Sequence, residues 1–182
     1  MILPDDDFDE DPGYAGDDED EIDTGDLEAM IWNLLVLINP GDEESALRQF
    51  SLWRDGMAEA QGDESQALPI LKDAIDWSAG FYVDWNDTES LVDSIEELAA
   101  RWNLDIDWGG DPSDDDFLDA TDVPALMAVA YDRLREYGYT LWNWNTDGDA
   151  YAGWIALSRD DEGMQQLCSA LGIEIRPASD AF

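Results

Sequence analysis

Charge is the feature that most restricts what this 182-residue chain can fold into and bind. The chain carries 46 Asp and Glu against eight Lys and Arg, which gives a formal net charge of −38, and Lys72 is its single lysine. A field of that sign repels nucleic acids and anionic membranes and attracts cationic surfaces. We therefore exclude nucleic acid and membrane as partners and expect a basic protein instead.

Apolar residues still make up 45% of the chain and include nine Trp, which is enough to build a core. Residues 1–26 hold thirteen acids and no base, and their self-repulsion predicts a disordered arm. Residues 27–182 keep 33 acids against eight bases, and we expect them to form a single α+β domain.

Apolar residues at helical spacing predict that this domain begins with helices. Thr24 can cap a first helix, which must end before Pro40. A second helix is expected over about 43–60 and a third over about 66–77. The inward side of the second helix is predicted to contain Leu47, Phe50, Trp53 and Met57.

From Gly80 the apolar period changes to two, which is typical of half-buried strands. A first strand is predicted to bury Phe81, Val83 and Trp85. After a helix that Asp87 and Thr88 can cap, a second strand is predicted to bury Leu104, Ile106 and Trp108. The order strand, helix, strand favours parallel neighbours joined by a right-handed crossover.

The rest of the chain predicts an acidic loop over 109–121, a helix that stops at Gly138, and a hairpin of two strands, 139–145 and 152–158. A last helix ends at Gly172 before a short strand over 173–176. The prediction is therefore an α+β fold, with a mixed sheet of about five strands, helices packed on it, and helices at the N-terminus.

Residue types argue against catalysis. The chain has no His, no phosphate-binding glycine motif and one cysteine, so we expect no enzyme activity, no cofactor and no metal site. Carboxylate pairs occur by chance at any spacing among 46 acids, and a solvated surface is the better explanation for them. Cys168 is predicted to be a buried, inert thiol on an apolar helix face. A lone cysteine and the absence of a signal peptide predict a cytoplasmic protein.

Residues 143–149 also resemble the start of a calcium loop, with oxygen ligands at alternate positions. Trp154 stands where such a loop needs a bidentate Glu, so a hairpin turn is favoured.

Trp142 and Trp144 share one face of the predicted strand. Core packing and an exposed aromatic patch both remain open for them.

Two segments resemble the bacterial DUF6630 family: FYVDWNDTESLVDSIEELAARWNLDIDW at 81–108 and TDVPALMAVAYDRLREYGYTLWNWNTDGDAYAGWIALS at 121–158. Some proteins of this family stand beside toxins of polymorphic and type VI secretion systems. The resemblance therefore implies an immunity role, and it brings no catalytic residues.

Charge and resemblance together predict an acidic immunity protein that neutralises a basic toxin, in particular a nuclease, by occluding its active site. The alternatives are a DNA mimic or regulator of a DNA-binding protein, an acidic enzyme or calcium-binding protein, and halophilic adaptation. Binding residues concentrate on loops. The partner-binding residues are predicted to be Asp111, Asp114, Asp115, Asp116, Asp119, Asp122, Asp147 and Asp149.

Overall fold

The computed structural model describes residues 24–75 and 79–182. The predicted arm therefore lies outside the described residues, except for positions 24–26, which form the first turn of a helix. The end of the predicted third helix, at 76–77, also lies outside them.

Within the described residues, a four-stranded sheet lies between two layers of helices. The helices are α1 Thr24–Leu37, α2 Glu43–Glu59, α3 Ala67–Ala74, α4 Thr88–Ala100, α5 Asp115–Asp119, α6 Val123–Glu136 and α7 Asp161–Leu171. The strands are β1 Gly80–Val83, β2 Tyr139–Trp144, β3 Tyr151–Leu157 and β4 Ile175–Pro177. Short 3₁₀ turns cover Glu64–Gln66, Ser158–Asp160 and Ala178–Asp180.

Aspartates start many of these helices. Asp42, Asp87, Asp114 and Asp122 each accept a hydrogen bond from a backbone N–H of the helix that follows, α2, α4, α5 and α6 respectively. Such caps satisfy backbone donors that have no partner inside the helix. Part of the acidity therefore has a structural use, because short acidic side chains are good helix starters.

The sheet has the order β1-β3-β2-β4, and each neighbouring pair is antiparallel. The β2–β3 hairpin forms its centre, and β1 and β4 are its edges. Gly153 is required inside β3 because a Cβ there would lie 1.8 Å from the carbonyl oxygen of Trp142. The hairpin and the short last strand were predicted from sequence, and both are confirmed within a residue or two.

Each face of the sheet covers its own core. One face buries Trp142, Trp144 and Trp154 against α1, α2, α3 and α7. The other face buries Leu141 and Ile155 against α4 and α6. Of the two alternatives for Trp142 and Trp144, core packing is thus the one that the structure confirms. Cys168 is also buried, as predicted.

The α+β class is confirmed, but the sheet differs from the prediction in number and direction. It has four strands, not about five, and it is antiparallel, not mixed. Residues 104–108 form no strand. Ile106 and Trp108 are nevertheless buried beside α4 and α6, so the segment alternates in burial without pairing to a neighbour. An apolar period of two in the sequence indicates that alternate side chains are buried. A single extended segment has this pattern as well as a strand in a sheet, so the pattern alone does not predict pairing.

Two side chains predicted to face inward are exposed. Trp85 is 59% exposed because β1 ends at Val83 and the chain turns, with the N–H of Asp87 donating to the carbonyl of Asp84. Leu47 on α2 is 56% exposed, whereas Trp53 and Met57 are buried as predicted.

The short helix α5, inside the predicted acidic loop, was not predicted. Over the described residues, no helix is both long and apolar enough to cross a bilayer.

Candidate partner-binding surface

All eight aspartates predicted to bind a partner are exposed. Six of them lie on residues 109–122, which contain α5, and the other two lie in the turn between β2 and β3. Because α6 is joined directly to β2 and packs on it, Asp122 at its start lies toward the same end of the sheet as that turn. We use the name acidic end for residues 109–122 together with 145–150. The first of these segments begins near Arg133 in the last turn of α6, whose Nε donates to the carbonyl of Asp107, and it reaches the turn's end of the sheet at Asp122.

Three of these carboxylates are fixed by local hydrogen bonds. Asp111 accepts from the hydroxyl of Ser113 at 2.6 Å and from its backbone N–H at 2.9 Å. Asp114 and Asp122 accept from backbone N–H groups as the caps of α5 and α6. The two bonds from Ser113 hold the pKa of Asp111 below its ordinary value of 3.8, so this carboxylate is charged throughout the neutral range.

The β2–β3 turn is held by its own side chains. Asn145 Oδ1 accepts from the N–H of Asp147 at 2.9 Å, and the Thr146 hydroxyl donates to the carbonyl of Ala150 at 2.7 Å. Asp147 adopts a φ of 58°, in the left-handed region that Asp tolerates in turns. The turn therefore presents the carboxylates of Asp147 and Asp149 from a defined backbone.

The same contacts bear on the calcium-loop alternative. The side-chain oxygens of Asn143 and Asn145, which such a loop would use as ligands, already accept backbone hydrogen bonds. Among the described residues, no group of three or more His, Cys, Asp and Glu is arranged to hold a metal ion. The geometry of residues 143–149 is that of a hairpin turn.

An open cavity of about 340 Å³ adjoins this turn. It is lined by Trp85, Asp149, Tyr151 and Phe182, among others. Trp85 gives the cavity an exposed ring beside a carboxylate, and such a pair can hold a Lys or Arg side chain by cation–π and ionic attraction together. Trp and Tyr are also the residues that most often anchor protein interfaces.

Several basic side chains, in contrast, are engaged within the fold. Arg135 bonds to Asp161 at 2.6 Å, and Arg101 bonds to Asp42 at 3.2 Å. Lys72 lies 5.5 Å from the ring centre of Trp144, and Arg176 stacks on Phe182 at 4.3 Å. Even if every base were paired with an acid, the chain would keep its net charge of −38. The outward-facing charge is therefore overwhelmingly negative.

Sequence reasoning did not select Trp85 or Phe182 as surface residues. A usable signal was present for Trp85: Asp87 and Thr88 were predicted to cap a helix, so the residues just before them had to form a connection. No comparable signal exists for Phe182, whose position depends on a hydrogen bond to Asn143, 39 residues away.

Comparison with known proteins gives one match. A family model described as a domain of unknown function, DUF6630, matches residues 30–178, which is most of the chain and includes both segments that carried the resemblance. No curated protein matches, and no solved structure matches.

Proposed function

We propose that this chain, which belongs to the DUF6630 family, is a cytoplasmic immunity protein that binds a basic toxin and neutralises it by covering its active site. The observation that carries the proposal is the acidic end, where the exposed carboxylates of Asp122, Asp147 and Asp149 lie toward the same end as the exposed ring of Trp85. The protein acts by binding, without turnover and without a cofactor.

A nuclease is the toxin class that suits this surface best. An enzyme that cleaves nucleic acid presents a cationic cleft to its polyanionic substrate. A protein that places carboxylates along that cleft competes with the substrate and associates quickly, because opposite fields steer the encounter. Speed matters to an inhibitor that must reach a toxin before the toxin reaches DNA.

The experiment that tests this function expresses the chain together with the basic protein encoded beside it, in a bacterial host that the basic protein kills. We expect growth to be restored, and we expect the purified pair to associate more slowly as salt rises. If no neighbouring basic protein is toxic, or if co-expression does not protect, the immunity function is wrong. Inhibition of an unrelated DNA-binding protein would then support the alternative of a DNA mimic.

Variants with matched charge locate the docking surface. Asp115→Asn, Asp116→Asn and Asp119→Asn together remove three charges from the acidic end without touching the cap Asp114. Glu44→Gln, Asp55→Asn and Glu59→Gln remove three charges from exposed positions on α2. We expect the first set to slow association more than the second, by about threefold or more. Equal effects would mean that net charge alone attracts the partner and that this end is not the docking surface.

A further inference from the structure

We propose that the outer edge of β1 is a second part of the docking site, where an extended segment of the cationic partner joins the sheet as a fifth strand. The inference rests on the proposed function in taking the partner to be a cationic protein. Beyond the proposed function, it specifies that the bound segment is an extended strand and in which order its basic and apolar side chains follow one another.

The first observation is the state of the β1 edge. Strand β1 pairs with β3 on one side only, so alternate residues of Gly80–Val83 direct their N–H and C=O groups away from the sheet. Between described residues, none of the backbone hydrogen bonds outside helices and strands involves these four residues. An unpaired edge of this kind is a template for another strand.

The second observation is a pair of grooves, one on each face of that edge. On the face covered by α3, a groove of about 510 Å³ lies among Lys72, Ile75, Tyr82 and Trp144. Ala152 pairs with both Tyr82 and Trp144 in the sheet register, so a small side chain separates two large rings. On the face covered by α4, a groove of about 270 Å³ lies among Tyr82, Asp84, Ser90 and Ser94. Tyr82, 53% exposed, borders both grooves.

This arrangement matches what an added strand needs. Successive side chains of a strand point to opposite faces, so one set would enter the α3-side groove and the alternate set the α4-side groove. Main-chain hydrogen bonds then give affinity, and the two grooves give selectivity.

The chemistry of the two grooves differs. In the α3-side groove, the ammonium group of Lys72 lies over Trp144 and repels a second cation, while Ile75 and the aromatic rings favour an apolar side chain. In the α4-side groove, the exposed carboxylate of Asp84 and the hydroxyls of Ser90 and Ser94 accept hydrogen bonds from Lys or Arg. The bound segment therefore alternates basic and apolar residues.

Charge also decides against another occupant of the edge. A second copy of this chain would bring a further −38 to a surface that is already acidic, and the two copies would repel each other. A cationic segment instead gains from the same field. Trp85 lies two residues after the end of β1, so the chain leads from this edge to the cavity at the acidic end.

The test uses the full chain and a synthetic peptide of alternating residues, KVKVKVK, at physiological salt. Two control peptides keep its charge: one has the order KKKKVVV, and one is N-methylated at each interior residue so that it cannot pair with a strand edge. We expect both controls to bind about tenfold more weakly. The N-methylated peptide loses a few ladder hydrogen bonds of about 1 kcal/mol each, and the reordered peptide loses the match of alternate side chains to the two grooves. Hydrogen exchange in residues 80–83 should slow only with the alternating peptide.

A pair of protein variants completes the test. Ser94→Lys fills the α4-side groove with a positive charge, whereas Ser51→Lys makes the same change at an exposed position on α2. We expect Ser94→Lys to weaken the alternating peptide about tenfold and Ser51→Lys to change its binding by less than about twofold. Equal binding of all three peptides, without protection of 80–83, would overturn the edge proposal and leave the basic-toxin proposal standing. Binding of the alternating peptide at the β1 edge, without neutralisation of any toxin, would support the edge proposal and contradict the basic-toxin proposal.

Discussion

The side chain of Asn143 connects the central hairpin to Phe182. Its Oδ1 accepts a 3.0 Å hydrogen bond from the backbone N–H of Phe182, and its Nδ2 donates to the carbonyl of Ala152 at 2.9 Å. Asn143 is completely buried, so its own side-chain amide has no water to replace these bonds. The bond brings Phe182 to the cavity that Trp85 also lines.

Asn143→Ala should therefore destabilise the protein by about 2–4 kcal/mol, because buried polar groups lose their partners. Asn143→Asp should be at least as harmful, since it buries a charge next to carbonyl oxygens. Urea unfolding measures both effects. Asn145→Ala, which loses bonds at a more exposed position of the turn, is the control and should cost less than about 1 kcal/mol. A neutral Asn143→Ala would show that the bond to Phe182 does not hold the structure together.

Asp42 should stabilise the fold in a pH-dependent way. Hydrogen bonds from the Ser45 hydroxyl and N–H, together with Arg101, hold the pKa of Asp42 below its ordinary value of 3.8. A lowered pKa adds stability that is complete above about pH 4 and is lost as pH falls through the native pKa. Asp42→Ala should cost about 1–2 kcal/mol at pH 7 through the lost cap, and the gap from wild type should narrow below pH 4. Asp93→Ala, at an exposed position inside α4, should show neither effect.

Cys168 should not react in the native protein. Burial raises the pKa of its thiol to about 12, so about one molecule in ten thousand carries the thiolate at pH 8. A thiol-reactive disulfide reagent should therefore give no signal until urea unfolds the chain, and then one equivalent. Cys168→Ser provides the blank. Rapid reaction of folded protein would mean that α7 opens readily from the core.

Side-chain periodicity predicted most of the fold because burial imposes it directly. The apolar stripes predicted for α1, α4 and α6 pack into the two cores of the structure. The alternate apolar residues of β2 and β3 do so as well. The same periodicity failed at residues 104–108, where Trp108 alternates in burial but donates its indole N–H to Glu96 and has no neighbouring strand. Strand pairing depends on which other segment of the chain lies next to the strand, and the local sequence does not contain that information.

The acidic end could be predicted only in part, for a similar reason. Loop composition was sufficient to predict that Asp115 and Asp149 are exposed. It could not show that Asp114 and Asp122 act as helix caps, nor that Phe182 returns to the hairpin. The free edge of β1 was also not predicted, because the sequence favoured a parallel neighbour for that strand. In the structure β1 lies at the edge of the sheet and is antiparallel to β3.

Salt should stabilise the folded chain. With a net charge of −38, repulsion between carboxylates is strongest in the compact state, and it weakens as the screening length falls to about 8 Å near 0.15 M salt. We expect the melting temperature to rise from low salt to about 0.15 M and then to level off. CaCl₂ and MgCl₂ at equal ionic strength should act alike. A specific gain with Ca²⁺ would support the calcium-loop alternative at 143–149, and a continued rise above about 1 M would support halophilic adaptation.

If the proposed function is right, Trp85 should control the dissociation rate of the toxin and not its association rate. The ring is uncharged and lies beside Asp149 and Tyr151, so it contributes to close contact and not to long-range attraction. Trp85→Ala should raise the dissociation rate of the toxin complex about tenfold or more and leave the association rate within about twofold. Because the side chain is 59% exposed, the melting temperature should hardly change. Tyr137→Ala, an aromatic truncation at a similarly exposed position after α6, is the matched control. Should Trp85→Ala and Tyr137→Ala dissociate at the same rate as wild type, the toxin does not contact the cavity beside the hairpin turn.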